Sequence, residues 1–426
     1  MDYCKISFLN GVGGNRNGIG DYFKRLDAAG RPAISASYDD FGVVLELMNL
    51  RRKSGVPHIG VFRPKQQGRL ENPRYDQNPV QAAREYFRLW YSVLPPEFLR
   101  DEWLKQHVWL IGLGNEGRRE HEWGSWWGFA ACEFAKLALE HGLRTLQFGW
   151  SAGTPDIGHN DTGNVWGTDG MLAYLKMCHN HPNELGICVH EGANPNLNNL
   201  SPGDVRLVNS IGFITGRYMH IFDACKTAGL RNPRIFISEC AWKYNGAADV
   251  ATGMALDIPP LAEYYAQHPE VLGVSLWSLG SISAEYGEVY NQVQPYIVPI
   301  THYALSSAFE GQPTWADKTP HYQVQPPVVE PPIEEPVMNI REVAIIVADS
   351  HPSKVGVIEQ SALPALEKSI RDSGEIAASS EIDFKVGRDS YKVKIGRKAG
   401  AVTDDEDTYH VVKVPNWSSV QRLKKA

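Results

Sequence analysis

The chain lacks the features that mark several broad classes of protein. Its net charge is −7 at pH 7, from 42 Lys and Arg against 49 Asp and Glu residues. No basic stripe stands out that would neutralise phosphates. No segment reaches the ~18 consecutive apolar residues that a membrane-spanning helix needs. We therefore expect no nucleic-acid partner and no membrane partner.

The N-terminus also lacks a basic segment followed by a long apolar stretch, which is how a secretory signal peptide begins. We expect a soluble protein, either cytoplasmic or released by a route without such a signal. Cysteine is scarce, with six in 426 residues, and none forms a C-x-x-C or similar ligand pair. The sequence predicts free core thiols, which are typical of a reducing compartment.

Motifs for metals and cofactors are equally sparse. The run Cys178-His179-Asn180-His181 has no second ligand pair at zinc spacing, so we interpret it as a helix end. The run Gly11-Val12-Gly13-Gly14 follows an apolar strand, as in a dinucleotide site, but the third glycine of G-x-G-x-x-G falls on Arg16. We interpret these glycines as a loop, and we expect neither a metal nor a cofactor.

From residue 1 to about 310, the sequence alternates short apolar runs with longer amphipathic stretches. This alternation is typical of β-α units around a parallel sheet. Eight units over this length predict one (β/α)8 barrel, or TIM barrel, rather than a doubly wound sheet. The eight predicted strands are residues 5–9, 33–37, 58–62, 108–113, 145–150, 186–190, 234–238 and 272–277.

The composition changes after the eighth unit. Residues 311–337 are rich in proline interleaved with Glu and Val, which predicts a linker with polyproline tendency. Residues 338–426 combine strand patterns with an amphipathic helix at 363–371, which predicts a small α+β domain. Its role stays open between oligomerisation, binding and contact with an attachment partner.

Two carboxylates end apolar runs of strand length. Glu116 follows the fourth predicted strand and Glu239 follows the seventh. Strand ends of a parallel barrel meet at one mouth, so both side chains are expected there. Glycosidic cleavage needs one carboxyl group to protonate the leaving oxygen and another to attack or stabilise the anomeric carbon. The reach across a barrel mouth suits the ~5–5.5 Å separation of retaining enzymes.

With Asn115-Glu116 after strand 4 and Glu239 after strand 7, residues 1–310 resemble the clan A glycoside hydrolases. This clan is the 4/7 superfamily of retaining (β/α)8 enzymes. The resemblance implies that Glu116 is the acid/base, Glu239 the nucleophile and Asn115 a ligand of the sugar 2-hydroxyl. It further implies that Trp277, at the end of strand 8, lies beneath the sugar that is cleaved.

Strand 6 departs from this resemblance. Many clan members carry a tyrosine there that hydrogen-bonds the nucleophile, whereas this chain has His190-Glu191. We expect His190 to orient the nucleophile, or Glu191 to add a third acid that alters the pH profile. Arg63, at the end of strand 3, is expected to contact a substrate hydroxyl, to orient Glu239, or to form a structural salt bridge.

Tryptophans are plentiful where the loops of the catalytic face are expected. Indole rings stack on the apolar C–H faces of sugars. We expect Trp242 and Trp277 to bind substrate. The others in this group are Trp123, Trp126, Trp127, Trp150 and Trp166.

Together these features predict a retaining glycosidase that cleaves β-glycosidic bonds of an oligo- or polysaccharide. Two alternatives stay open. One is a non-catalytic carbohydrate-binding or structural barrel, such as an adhesin, and the other is a lytic enzyme for cell-wall glycan. The paired acids favour catalysis over binding, because a binding barrel has no physical need for two opposed carboxylates.

Overall fold

The computed structural model describes most of the first 309 residues and four later strands. The described ranges are 3–64, 72–118, 120–155, 164–193, 205–212, 214–243, 246–281 and 292–309, plus the backbone of the strands given below. The chain divides into two compact units, Met1–His321 and Tyr322–Ala426. The predicted linker at 311–337 lies outside the described residues, so its boundaries stay a prediction.

Eight parallel strands close into a barrel in the first unit. Each pairs with the next along the chain, and the last pairs with the first. The TIM barrel and all of its predicted strands are therefore confirmed. The strands are β1 (Ile6–Asn10), β2 (Ile34–Tyr38), β3 (Ile59–Arg63), β4 (Val108–Ile111), β5 (Arg144–Trp150), β6 (Leu185–Gly192), β7 (Arg234–Ala241) and β8 (Val271–Leu279).

Helices follow the strands and surround the barrel. Several begin at side-chain caps that satisfy free N–H groups: the Asp40 carboxylate accepts from Gly42 N, and the Asn78 side chain accepts from Gln81 N. The helices are α1 (Ile19–Ala28), α2 (Phe41–Ser54), α3 (Pro79–Ser92), α4 (Pro96–Leu99), α5 (Glu102–His107), α6 (Gly124–Glu140), α7 (Asp169–Asn180), α8 (Met219–Thr227), α9 (Val250–Leu256), α10 (Ile258–Ala266) and α11 (Ile297–Ala304). In the described part of the chain, no helix has the length and apolar character to cross a membrane.

The apolar core has two parts. The larger lies between strands and helices, and the smaller is formed by alternate strand residues such as Ile34, Ala36 and Tyr38. Alternate residues of a barrel strand face the interior, so the smaller cluster fills the barrel below its mouth. All six cysteines are free, as predicted, and five of them are buried.

The second unit contains one described sheet of four strands, in the order β10-β11-β12-β9. Two pairs are antiparallel, and β11 and β12 run parallel. The strands are β9 (Val343–Ile346), β10 (Glu381–Val386), β11 (Asp389–Ile395) and β12 (Thr408–Lys413). The helix predicted at 363–371 lies outside the described residues, so the α+β class of this unit stays a prediction.

Helices α6 and α7 approach each other so closely that their contact requires glycine. A Cβ atom added at Gly128 would lie 1.9 Å from the carbonyl carbon of Gly170. A Cβ atom added at Gly170 would lie 2.0 Å from the carbonyl oxygen of Ser125. Both obstacles are backbone atoms, so a side chain at either position must push the helices apart.

We expect Gly128→Ala to lower the free energy of unfolding by about 3 kcal/mol, because overpacking against backbone has no side-chain rotation to relieve it. Gly167→Ala is the matched control, since its added Cβ would meet nothing within 4 Å. That control should stay within about 0.5 kcal/mol of the parent. Urea unfolding followed by tryptophan fluorescence measures both, and equal midpoints for the two variants would contradict this account of the helix contact.

Candidate active site

Three side chains from different strand ends meet at the barrel mouth: Glu116, His190 and Glu239. His190 Nδ1 lies 3.4 Å from Glu116 Oε1 and 3.5 Å from Glu239 Oε2. One oxygen of each carboxylate and this nitrogen all lie within 4.8 Å of one another. The predicted acid pair is therefore close together, with an imidazole against both members.

The pairing of β6 with β7 places two of these residues side by side. The register shifts after Val189, so that His190 pairs with Glu239 rather than with Ser238. A β-bulge of this kind bends a strand and re-aims its side chains. Glu239 is thereby presented to the mouth next to His190.

The loop after β4 holds Glu116 through backbone contacts. Glu116 has a positive φ of 47°, and its N–H donates to the Gly149 carbonyl at 2.8 Å. The Asn72 side chain bonds both backbone groups of Asn115, accepting from its N–H at 3.0 Å and donating to its carbonyl at 2.8 Å. Trp127 Nε1 donates to the Arg118 carbonyl at 3.0 Å. The loop is thus tied to its neighbours on both sides of Glu116.

Glu239 has a second set of partners, of which the sequence analysis named Arg63 but not Tyr38. The hydroxyl of Tyr38, the last residue of β2, donates to Glu239 Oε1. Arg63 donates to the same hydroxyl, lies over the Tyr38 ring at 4.5 Å, and has Nη1 at 4.0 Å from Glu239 Oε1. Burial raises the pKa of Tyr38 well above its ordinary value, so the hydroxyl keeps its proton and donates it.

Of the contacts expected for Arg63, the structure contains the one with Glu239, and it adds the hydrogen bond to Tyr38. The signal for Tyr38 was present in the sequence, because it ends its strand just as the two acids end theirs. Its partner Glu239 is 201 positions away, and only the closed barrel brings the two together.

The two acids differ in exposure. The Glu116 side chain is 51% exposed, whereas that of Glu239 is 16% exposed. The pKa of Glu116 is lowered, most strongly by its pairing with the His190 imidazole, while partial burial acts in the opposite direction. Ser151 also lowers this pKa through a side-chain hydrogen bond.

Trp242 corrects an expectation. Its side chain is buried, at 2% exposure, with Nε1 donating to Asp257 Oδ2 at 2.7 Å and its ring stacked on Tyr296. No face of this indole is free for a sugar. Trp277 is different, because it is half-buried. It packs on the smaller part of the apolar core, which fills the barrel below its mouth.

Glu191 requires a second correction. It is 2% exposed, and its Oε2 accepts from Gly216 N at 2.8 Å and from the Tyr265 hydroxyl at 2.6 Å. Because strand residues alternate between faces, Glu191 points into the layer of helices while His190 points into the mouth. It contributes no third acid to the carboxylate pair.

The remaining tryptophans separate into core and surface. Trp127, Trp150 and Trp166 are buried. Trp123 and Trp126 are half-buried and pack with Tyr75 at ring distances of 5.3 Å each. Trp123 also carries the Arg118 guanidinium over its ring at 4.4 Å. This aromatic group lies next to the loop that holds Glu116.

Comparison with known proteins finds similarity to solved structures. No protein-family model matches the chain, and no curated protein matches it. An endo-beta-1,4-glucanase from Xanthomonas axonopodis pv. citri, solved with a triple mutation, is 13% identical with a TM-score of 0.40, covering 71% of this chain and 99% of its own. PbGH5A, a glycoside hydrolase family 5 enzyme from Prevotella bryantii B14, is 12% identical with a TM-score of 0.41, covering 71% and 96%. The mannohexaose complex of beta-mannanase from Thermomonospora fusca is 14% identical with a TM-score of 0.31, covering 67% and 82%.

The burial of Glu191 predicts a pH-dependent stability. Desolvation raises its pKa from 4.5 to about 7, so the folded protein favours the neutral acid. The stabilisation is fully present below pH 4.5 and is lost as the pH rises through about 7. This loss amounts to about 3 kcal/mol at most.

Replacing Glu191 with Gln should remove this component. The difference in unfolding free energy between Glu191→Gln and the parent should shift in favour of the variant from pH 5 to pH 8, as measured by urea unfolding at each pH. Glu140→Gln, at an exposed position at the end of α6, is the matched control and should parallel the parent. A Glu191→Gln curve that also parallels the parent would show that Glu191 is charged in the folded state throughout.

Proposed function

We propose that this protein is a retaining glycosidase that cleaves β-glycosidic bonds of an oligo- or polysaccharide. The observation that carries the proposal is the short distance between the two acids, with one oxygen of each within 4.8 Å of the other. Retaining enzymes hold their carboxyl groups ~5–5.5 Å apart, whereas inverting enzymes need ~6.5–9.5 Å to admit a water molecule. The pair in this barrel suits direct attack by a carboxylate.

Glu239 is the nucleophile in this proposal. A nucleophilic carboxylate must be ionised and must hold one orientation. The Tyr38 hydroxyl donates to Oε1, while the Arg63 guanidinium adds positive charge nearby. The other oxygen, Oε2, lies on the side of His190. Glu239 attacks the anomeric carbon, the glycosidic C–O bond breaks, and a glycosyl-enzyme ester forms.

Glu116 is the acid/base. Its exposed side chain protonates the leaving oxygen in the first step and removes a proton from the attacking water in the second. Water then cleaves the ester and regenerates Glu239. Since His190 lowers the pKa of Glu116, the protonated form needed for the first step is available at acidic pH. We therefore expect the activity to begin to fall at an acidic pH, because Glu116 loses its proton there as the pH rises.

The residues around the pair fit a sugar ligand. The side-chain oxygen of Asn115 is buried and has no hydrogen-bond partner among the described residues, so a sugar hydroxyl could donate to it. A buried oxygen without a donor is costly, and this supports the expected contact with a 2-hydroxyl. Trp277 offers a partly exposed ring at the same mouth.

We expect Glu239→Gln to lower kcat by several orders of magnitude, because the amide cannot form the ester intermediate. The assay uses aryl β-glycosides together with β-glucan, β-mannan and peptidoglycan, and the preferred polymer separates a general glycosidase from a cell-wall lytic enzyme. Glu122→Gln, at an exposed position on the helical turn before α6, is the control and should retain full activity.

Two further measurements sharpen this experiment. Proton NMR should show that the first product keeps the β configuration, as double displacement requires. Azide should restore turnover to Glu239→Ala and yield the α-glycosyl azide. Parent-like turnover in Glu239→Gln would reject Glu239 as the nucleophile. A parent that hydrolyses none of these substrates would reject the glycosidase and favour a carbohydrate-binding barrel.

Tyr38→Phe should lower kcat by roughly 10- to 100-fold, since a hydrogen bond to a charged group is worth about 1.5–3 kcal/mol. The ring is retained, so KM should change less than kcat. Tyr303→Phe, on α11 against Phe309, removes a hydroxyl elsewhere and should leave both constants unchanged. An unaltered kcat in Tyr38→Phe would mean that Glu239 does not depend on this hydroxyl for its orientation.

A further inference from the structure

The acid pair and His190 present donor atoms in the arrangement of a metal site. In a tetrahedral zinc site the bonds are ~2.0–2.2 Å, which sets neighbouring ligand atoms about 3.3–3.6 Å apart. His190 Nδ1 lies 3.4 Å from Glu116 Oε1 and 3.5 Å from Glu239 Oε2. Two edges of the tetrahedron are thus already formed around the imidazole nitrogen.

The third edge joins the two carboxylates and lies within 4.8 Å. Rotation of the Glu116 side chain, which is 51% exposed, would shorten it. Glu239 needs no movement, since the Tyr38 hydroxyl already holds its other oxygen. A hydrogen bond to a ligating carboxylate is the usual support for a metal ligand.

The state of His190 is a second and independent observation. The residue is 3% exposed, and neither ring nitrogen makes a hydrogen bond of good geometry among the described residues. Buried polar atoms are nearly always paired. Nδ1 instead faces the space between two carboxylates, where a cation would satisfy all three groups at once.

From these observations we propose that Glu116, His190 and Glu239 bind one divalent transition-metal ion, of which Zn²⁺ is the representative, and that the bound ion reversibly blocks the active site. One imidazole and two carboxylates suit Zn²⁺, whereas Mg²⁺ prefers all-oxygen octahedral sites. Both proposed catalytic carboxylates are ligands of the ion, so the ion acts as an inhibitor and not as a cofactor. The inhibition rests on the proposed function, but the binding does not.

Isothermal titration calorimetry of the full chain with ZnCl2, after treatment with and removal of a chelator, tests the binding directly. We expect one saturable equivalent that is lost or weakened by at least about 100-fold in Glu116→Gln and in His190→Gln, since even outer-shell changes cost 10–100-fold. MgCl2 should give no comparable signal. Circular dichroism and the unfolding midpoint establish that each variant is folded.

His181→Gln is the matched control. It removes a histidine from the run Cys178-His179-Asn180-His181, which is the other candidate ligand cluster in the sequence. This variant should bind Zn²⁺ as the parent does. Parent-like Zn²⁺ binding in both Glu116→Gln and His190→Gln, or no binding by the parent, would overturn the site.

The activity arm separates the two proposals. Zn²⁺ should inhibit hydrolysis competitively in the parent, and a chelator should restore the rate. One outcome is that the parent binds Zn²⁺ but hydrolyses none of the glycans, while Glu116→Gln and His190→Gln lose the binding. This outcome would uphold the metal site and reject the glycosidase. Site-specific binding without any inhibition of an active parent would overturn the blocking role.

Discussion

The shifted register between β6 and β7 is the constraint on which the site depends. Pairing of His190 with Glu239 is set by backbone hydrogen bonds along both strands, so the imidazole and the carboxylate are fixed by the barrel wall rather than by a loop. The other residues of the site lie around this fixed pair. Tyr38 and Arg63 lie at the ends of β2 and β3, and Glu116 lies on the loop after β4.

The site places two identical side chains in different environments. Glu239 has a hydroxyl donor, a nearby guanidinium and little solvent, and the hydrogen bond from Tyr38 holds one of its oxygens. Glu116 has solvent on one side and an imidazole on the other. The same imidazole lies between the acids, within 3.5 Å of both.

The strands and the acid pair were predictable from the sequence, because both depend on local pattern: apolar runs of strand length, each ending in a polar residue. The different burial of Trp242 and Trp277 was not predictable, since tryptophan lies at or near the ends of two neighbouring strands and only three-dimensional packing decides which ring stays partly exposed. The expectation for Glu191 was wrong because the sequence does not show which face of β6 it occupies. His190 and Glu191 are both polar, and only the folded barrel shows that Glu191 contacts Tyr265 among the helices while His190 faces the mouth. Tyr38 was missed because its role consists of contacts that are distant in sequence.

The alternation along β6 has a consequence for how this chain can vary. His190 and Glu191 are neighbours that serve opposite sides of the barrel wall, one in the mouth and one among the helices. An insertion or deletion of a single residue within β6 would exchange their faces. It would remove the imidazole from the acid pair and the carboxylate from Tyr265 in one step. A substitution in β6 alters one side of the barrel wall, whereas a change in the length of β6 alters both. Sequences derived from this chain should therefore preserve the length of β6 more strictly than its composition.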